Sequence, residues 1–377
     1  MPGILIVHAS LGTGHLSAAN ALAAAFERQG RDAVVLDVLD YANPVLRAAL
    51  NQYFKQTTER AQSLYKLLYA QTDAADVEEA FSGNRLLTML ERPFLSHFEQ
   101  VVKDLRPDAV VSVHPVPGHI LAHNKQQGNL PQPLYVVVTD YMAHSSWLVP
   151  GVDRYFVPSD FTRRQLLIRG VPPELIEVTG IPVSLEINDP KEPMALRERY
   201  DLPRDRCVIT LFGGGIEVER VRLIVGQILE SRTEGMLVVV AGRNEKLENA
   251  LSDLSDGPNM RLRLYGMVDH ADDLVAASDL VISKAGGLTV SEVLARGTPM
   301  VIIDPVAGQE EWNADVVVGA GAGLQLRMPE TVPAAALYLL SQPERLEMMC
   351  RQARLMGRPR AALDVAGSIL SDLPEAG

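Results

Sequence analysis

The chain has 377 residues, 47% hydrophobic and 22% charged, a balance that excludes disordered and collagen-like classes and makes two globular domains the default expectation. Its formal net charge of −12 argues against a nucleic-acid binder, which would carry a basic patch or stripe. Two cysteines, Cys207 and Cys350, are too few for a disulfide framework or a cysteine-rich metal site, so a reducing cytoplasm is the natural setting.

The chain opens on an apolar strand, residues 4–8, with no basic segment before it, so no secretory signal is expected. No apolar run reaches the roughly 18 residues of a membrane span. Residues 8–17, HASLGTGHLS, carry Gly12 and Gly14, which permit a tight turn into a helix over 16–29 that closes at Gly30. Asp37 follows the second strand, 33–36, at the interval where a dinucleotide enzyme holds its ribose, so a nicotinamide-dependent oxidoreductase is one reading. Against it, His15 stands where such a fold prefers a small residue, and Ser17 where it expects glycine or alanine. The other reading makes His15 a general base, because imidazole titrates near neutrality and a loop–helix junction can present it to an acceptor hydroxyl.

Residues 43–70 carry Arg47, Lys55, Arg60 and Lys66 against one acid, with apolar and aromatic residues at roughly helical spacing. Such a helix either lies on a membrane surface or packs on its own core. The first 180 residues hold 15 basic and 18 acidic side chains, so most of the negative charge falls in the remainder. Strands over 109–114, 134–139 and 154–157 follow, with His114 at the end of the first of these. Asp140, His144 and Trp147 fall in a loop after the second, which either sets an Asp–His pair to orient an acceptor or assist a base, or is a loop tied down by its own hydrogen bonds. Residues 187–205 contain three prolines and suit a hinge.

Beyond it, strands over 208–212, 237–241, 261–264, 280–283 and 300–303 complete a second parallel sheet, an α/β class with two doubly wound, Rossmann-like domains. Ligands of such folds bind at the carboxyl ends of the strands, so the site is expected in a cleft between the domains. The first strand of this half runs into Gly213, Gly214 and Gly215, whose successive N–H groups can form an anion-binding nest. A strand at 280–283 leads to Gly286 and Gly287 and a helix over 288–296, whose N-terminus suits a diphosphate and whose Glu292 could accept both hydroxyls of a ribose. Gln309, Glu310 and Asn313 form a polar cluster after the next strand, and an amphipathic helix over 360–371 closes the sequence.

The order strand, Gly-Gly turn, helix with an early acid, strand and G-Q-E-x-x-N loop resembles the donor half of glycosyltransferases of the GT-B architecture. More narrowly, with the G-T-G-H loop, the T-D-x-x-x-H-x-x-W segment and the V-T-G-I-P-V run, the chain resembles the monogalactosyl- and glucosyl-diacylglycerol synthases. That resemblance implies an N-terminal acceptor (lipid)-binding domain over 1–184, a UDP-sugar domain over 185–359, and a last helix, within 360–377, crossing back to the first. It implies catalytic roles for His15 and Asp140, with Gly12, Gly14, His114, His144 and Trp147 on the acceptor side. Donor contacts would come from Gly213, Gly214, Gly215, Gly286, Gly287, Leu288, Thr289, Glu292 and Asn313. Met267 and Val268 would receive the uracil, and Gln309 and Glu310 the sugar hydroxyls. The reaction implied is inverting transfer of galactose, glucose or glucuronate to diacylglycerol, by an enzyme peripheral on the inner face of the cell membrane. No D-x-D motif is present, so no metal and no cofactor beyond the UDP-sugar are expected, and backbone N–H groups must meet the leaving-group charge. Alternatives are an N-acetylglucosaminyltransferase acting on the lipid-linked peptidoglycan precursor and a non-catalytic nucleotide-binding module.

Overall fold

The computed structural model describes residues 3–12, 14–43, 71–303, 305–306 and 308–374. The basic stretch at 43–70 lies, but for Asn43, outside them. Two compact units are formed: Met1–Asn188 with Ala307–Trp312 and Arg358–Gly377, and Asp189–Val306 with Asn313–Gly357. No helix among the described residues is long and apolar enough to cross a membrane.

The first unit is built on a six-stranded parallel sheet of β1 (Ile4–His8), β2 (Ala33–Asp37), β3 (Ala109–Ser112), β4 (Leu134–Val137), β5 (Arg154–Val157) and β6 (Ile176–Val178). Its order is β2-β1-β3-β4-β5-β6. β1, β3 and β4 are buried along their whole length, which is why they read as unbroken apolar runs. Successive side chains feed opposite faces. Ile4, Ile6, Val111, Tyr135 and Phe156 pack under Leu22 and Phe26 of helix Gly14–Arg28 and under Val365 and Ile369 of the last helix, Ala361–Asp372. Leu5, Val7, Val110, Val136 and Tyr155 face Phe98, Ile120, Leu121 and Leu166 on the other side. Gly180 fixes the approach of the returning chain: it takes φ +100°, and a Cβ there would lie 2.4 Å from Arg358 Cβ.

The second unit carries β7 (Cys207–Phe212), β8 (Gly235–Val240), β9 (Met260–Tyr265), β10 (Leu280–Ser283), β11 (Met300–Ile303) and β12 (Gly323–Leu326), all parallel. They are ordered β12-β11-β10-β7-β8-β9. The direction of winding reverses between β7 and β10 here, and between β1 and β3 in the first unit. Helices diverge at such a switch point and leave a crevice at the carboxyl edge. β6 and β12 go beyond the strands read from sequence, and the first helix starts at Gly14 rather than Leu16.

Candidate active site

At the switch point of the second unit, β7 ends at Phe212 and the three glycines turn the chain, the Ile216 N–H donating to the Gly213 carbonyl at 3.2 Å. Gly215 takes φ +72°, and the space beside Gly214 is open. Among the described residues, neither the Gly214 nor the Gly215 N–H has a hydrogen-bond partner. The adjacent strand, β10, leads through Lys284 and buried Ala285 to Gly286, the N-cap of helix Gly287–Ala295, which has no side-chain cap. The first-turn N–H groups, with half-buried Leu288 and Thr289, are therefore open, and the helix dipole adds partial positive charge there. Two anion-receptive turns thus flank one crevice.

Glu292 sits one turn further along and is half-buried. Burial, with added repulsion from Asp272, pushes its carboxyl up to about 7. A desolvated carboxylate of this kind gains most from a ligand offering two hydroxyls. Met267, 68% exposed, and half-buried Val268 lie in the turn after β9.

Asn313 departs from the role read for it. The side chain is fully buried and its amide donates to the Ala285 carbonyl at 3.1 Å, so it braces the Gly286–Gly287 turn from behind. Sequence alone could not separate an amide that touches a ligand from one that supports the loop that does. Lys284 carries no signal in the sequence for a related reason. Read along the chain it is the residue after a strand, yet its Nζ donates to the Gly215 carbonyl at 3.3 Å.

In the first unit, Gly12 (φ 98°) and Gly14 bring the chain from β1 into helix Gly14–Arg28, and His15 stands in its first turn. His15 Nδ1 is 2.8 Å from the Val113 carbonyl and 3.1 Å from Thr139 Oγ1. A carbonyl can only accept, so Nδ1 carries the proton and Nε2 keeps its lone pair. Burial, the larger effect, and the neighbouring His8 push the imidazole down to about 4, against the Val113 bond, so the ring is neutral at physiological pH. His114 packs edge-on against it at 4.5 Å, and Trp147 lies 6.3 Å away. The His114 Nδ1 accepts from the Val116 N–H at 3.1 Å, capping helix Pro115–Gln126.

Asp140 and His144 are each tied into the first unit by hydrogen bonds. Asp140, buried after β4, accepts from Trp147 Nε1 at 3.1 Å and from Gln309 Nε2. His144 Nδ1 accepts from the Ser146 N–H at 3.0 Å, and Nε2 faces Thr72 Oγ1 at 3.4 Å. Asp140 therefore holds Trp147 in place, and the group that orients His15 is a backbone carbonyl that no motif encodes. Gln309 and Glu310 open helix Gln309–Gly319, and residues 307–312 group with the first unit. The Gln309 amide is thus committed to Asp140 here rather than open toward a sugar.

A family model described as monogalactosyldiacylglycerol (MGDG) synthase matches residues 15–183, and one described as the glycosyltransferase family 28 C-terminal domain matches residues 208–365. The processive diacylglycerol beta-glucosyltransferase of Bacillus mycoides (strain KBAB4) is 29% identical over 378 residues, covering 98% of this chain and 94% of its own. The enzyme of the same description from Bacillus licheniformis is 26% identical over 352 residues, covering 92% and 88%. Among solved structures, MurG of Acinetobacter baumannii superposes with a TM-score of 0.61 at 19% identity, covering 98% of this chain and 100% of that one. The UDP co-structure of S. aureus MnaA gives 0.63 at 16% identity, covering 100% and 98%.

Proposed function

Because the chain belongs to the monogalactosyl- and glucosyl-diacylglycerol synthase family of glycosyltransferases and has the GT-B fold, we propose that it transfers a hexose from a UDP-sugar to the free hydroxyl of diacylglycerol. The nicotinamide alternative drops out, since a glycosyltransferase domain covers most of the second half. Glucose is the hexose favoured by the names of the relatives, ahead of galactose and glucuronate. The enzyme would work as a peripheral protein on the cytoplasmic face of the membrane.

The observation that carries the reading is His15, a neutral imidazole whose Nδ1 is committed to the Val113 carbonyl. Its Nε2 takes the acceptor proton as the hydroxyl oxygen attacks the anomeric carbon, and the bond from that carbon to the β-phosphate oxygen breaks with its electron pair leaving on UDP. Attack opposite to the leaving group inverts the centre and gives a β-glycoside. Glycine-rich turns and the helix N-terminus receive the diphosphate, and Glu292 takes the ribose hydroxyls. No divalent metal is required in this scheme, so chelation should leave the rate unchanged.

Vesicles containing diacylglycerol, incubated with a panel of UDP-sugars and read by lipid mass spectrometry, test the proposal. One β-hexosyl-diacylglycerol is expected, and the absence of glycolipid across the panel would overturn it. His15→Ala should lower turnover about 100- to 10,000-fold while leaving UDP affinity intact.

A further inference from the structure

We propose that Lys284 is the positive counter-charge for the diphosphate of the donor, gripping it in the ground state and stabilising it as it departs. This rests on the UDP-sugar reading above and adds a residue to it.

Lys284 follows the last residue of β10, and β10 pairs with β7. Its side chain crosses from one strand end to the other: the ammonium bonds the Gly215 carbonyl at 3.3 Å, and a Cβ on Gly215 would lie 3.6 Å from Nζ and 3.8 Å from Cδ. The lysine therefore bridges the two glycine turns that flank the switch point. On one side lie the N–H groups of Gly214 and Gly215, on the other the uncapped start of helix Gly287–Ala295.

Neutral N–H groups alone meet only part of the charge that develops when the anomeric bond breaks, because each supplies a fraction of an elementary charge. An ammonium supplies a whole one, and at 3.3 Å from the Gly215 carbonyl it places that charge between the two turns. It remains protonated throughout: the electron pair of the breaking bond settles on the β-phosphate oxygen, which Lys284 holds as an ion pair. Bonds from an ionised donor to an ionised acceptor are about twice as strong as neutral ones, so the interaction strengthens as charge accumulates.

The test compares wild type with Lys284→Met, Lys284→Gln and Lys284→Arg by calorimetric titration with UDP and with uridine, and by glucosyl transfer at saturating donor. Both neutral variants should lose roughly 10- to 100-fold in UDP affinity and at least as much in turnover, with uridine affinity unchanged and a shallower salt dependence of UDP binding. Lys284→Arg should recover most of the UDP affinity. If the neutral variants bind UDP as tightly as wild type, or lose uridine and UDP in equal proportion, the lysine acts on the fold of the turn and the proposal fails. Failure of the UDP-sugar reading looks different: wild type itself then neither binds UDP nor makes glycolipid.

Discussion

Glu292 is held half-buried one turn into helix Gly287–Ala295, and its carboxyl moves from the ordinary 4.5 to about 7. Between those values the folded protein holds a proton that the unfolded chain has released, so this residue lowers stability progressively as pH rises from about 4.5 to about 7 and keeps it lowered above. Glu292→Gln should therefore raise unfolding free energy at pH 8 by about 1–3 kcal/mol and change it little at pH 4, as read in urea titrations. Donor affinity should fall in the same variant, because a neutral amide accepts a diol less strongly. His15 has the opposite sign: its imidazole moves from 6.5 down to about 4, so the unfolded chain binds the extra proton and stability falls as pH drops through that window. In rate profiles these residues separate. kcat/KM for the donor should show an acid limb near 7 that Glu292→Gln removes, whereas turnover at saturating donor should decline only as pH approaches 4.

Elements carry the next level of constraint, most clearly where the last helix, Ala361–Asp372, lies on helix Gly14–Arg28. Gly180→Ala should cost several kcal/mol, since it combines an unfavourable φ of +100° with a Cβ 2.4 Å from Arg358 Cβ and 2.9 Å from Ala361 Cβ. Gly30→Ala, with φ +79° but nothing within 4 Å, should cost only about 1 kcal/mol. Denaturant unfolding of the two variants measures the difference, which isolates the packing contribution. The same scale explains what was legible. Strands buried on both faces, such as β1 and β3, announce themselves as apolar runs. β6 and β12 are three- and four-residue edge strands, only partly buried, and their sequences IEV and GLQL carry no such run. The sequence places the start of the first helix at Leu16, because Gly14 is a poor interior residue. Tertiary packing nevertheless extends the helix to Gly14 and so places His15 within its first turn rather than before it.

For the whole molecule, two doubly wound sheets and the family were legible because chain order alone distinguishes them. The bracing role of Asn313, the bond from Val113 to His15 and the reach of Lys284 were not, since each depends on residues brought together from distant parts of the sequence. The two units also differ in how they are assembled from the chain. The second is nearly continuous, interrupted only at 307–312, whereas the first needs 358–377 as well as 1–188. A fragment spanning 189–357 should unfold cooperatively and retain uridine affinity. One spanning 1–188 should not fold stably until a peptide spanning 358–377 is supplied, because Leu22 and Phe26 otherwise lose the cover of Val365 and Ile369. Circular dichroism melts of the fragments, alone and mixed, decide this.

That dependence has a bearing on biosynthesis. A ribosome making about 5–20 residues each second releases the helix bearing His15 long before the segment that covers it. For roughly 10–40 seconds after residue 188 emerges, an apolar face stays open to water and to other nascent chains. Trigger-type holding chaperones have a reason to attend this protein, and a slow translational pause before residue 358 would lengthen the exposure rather than relieve it.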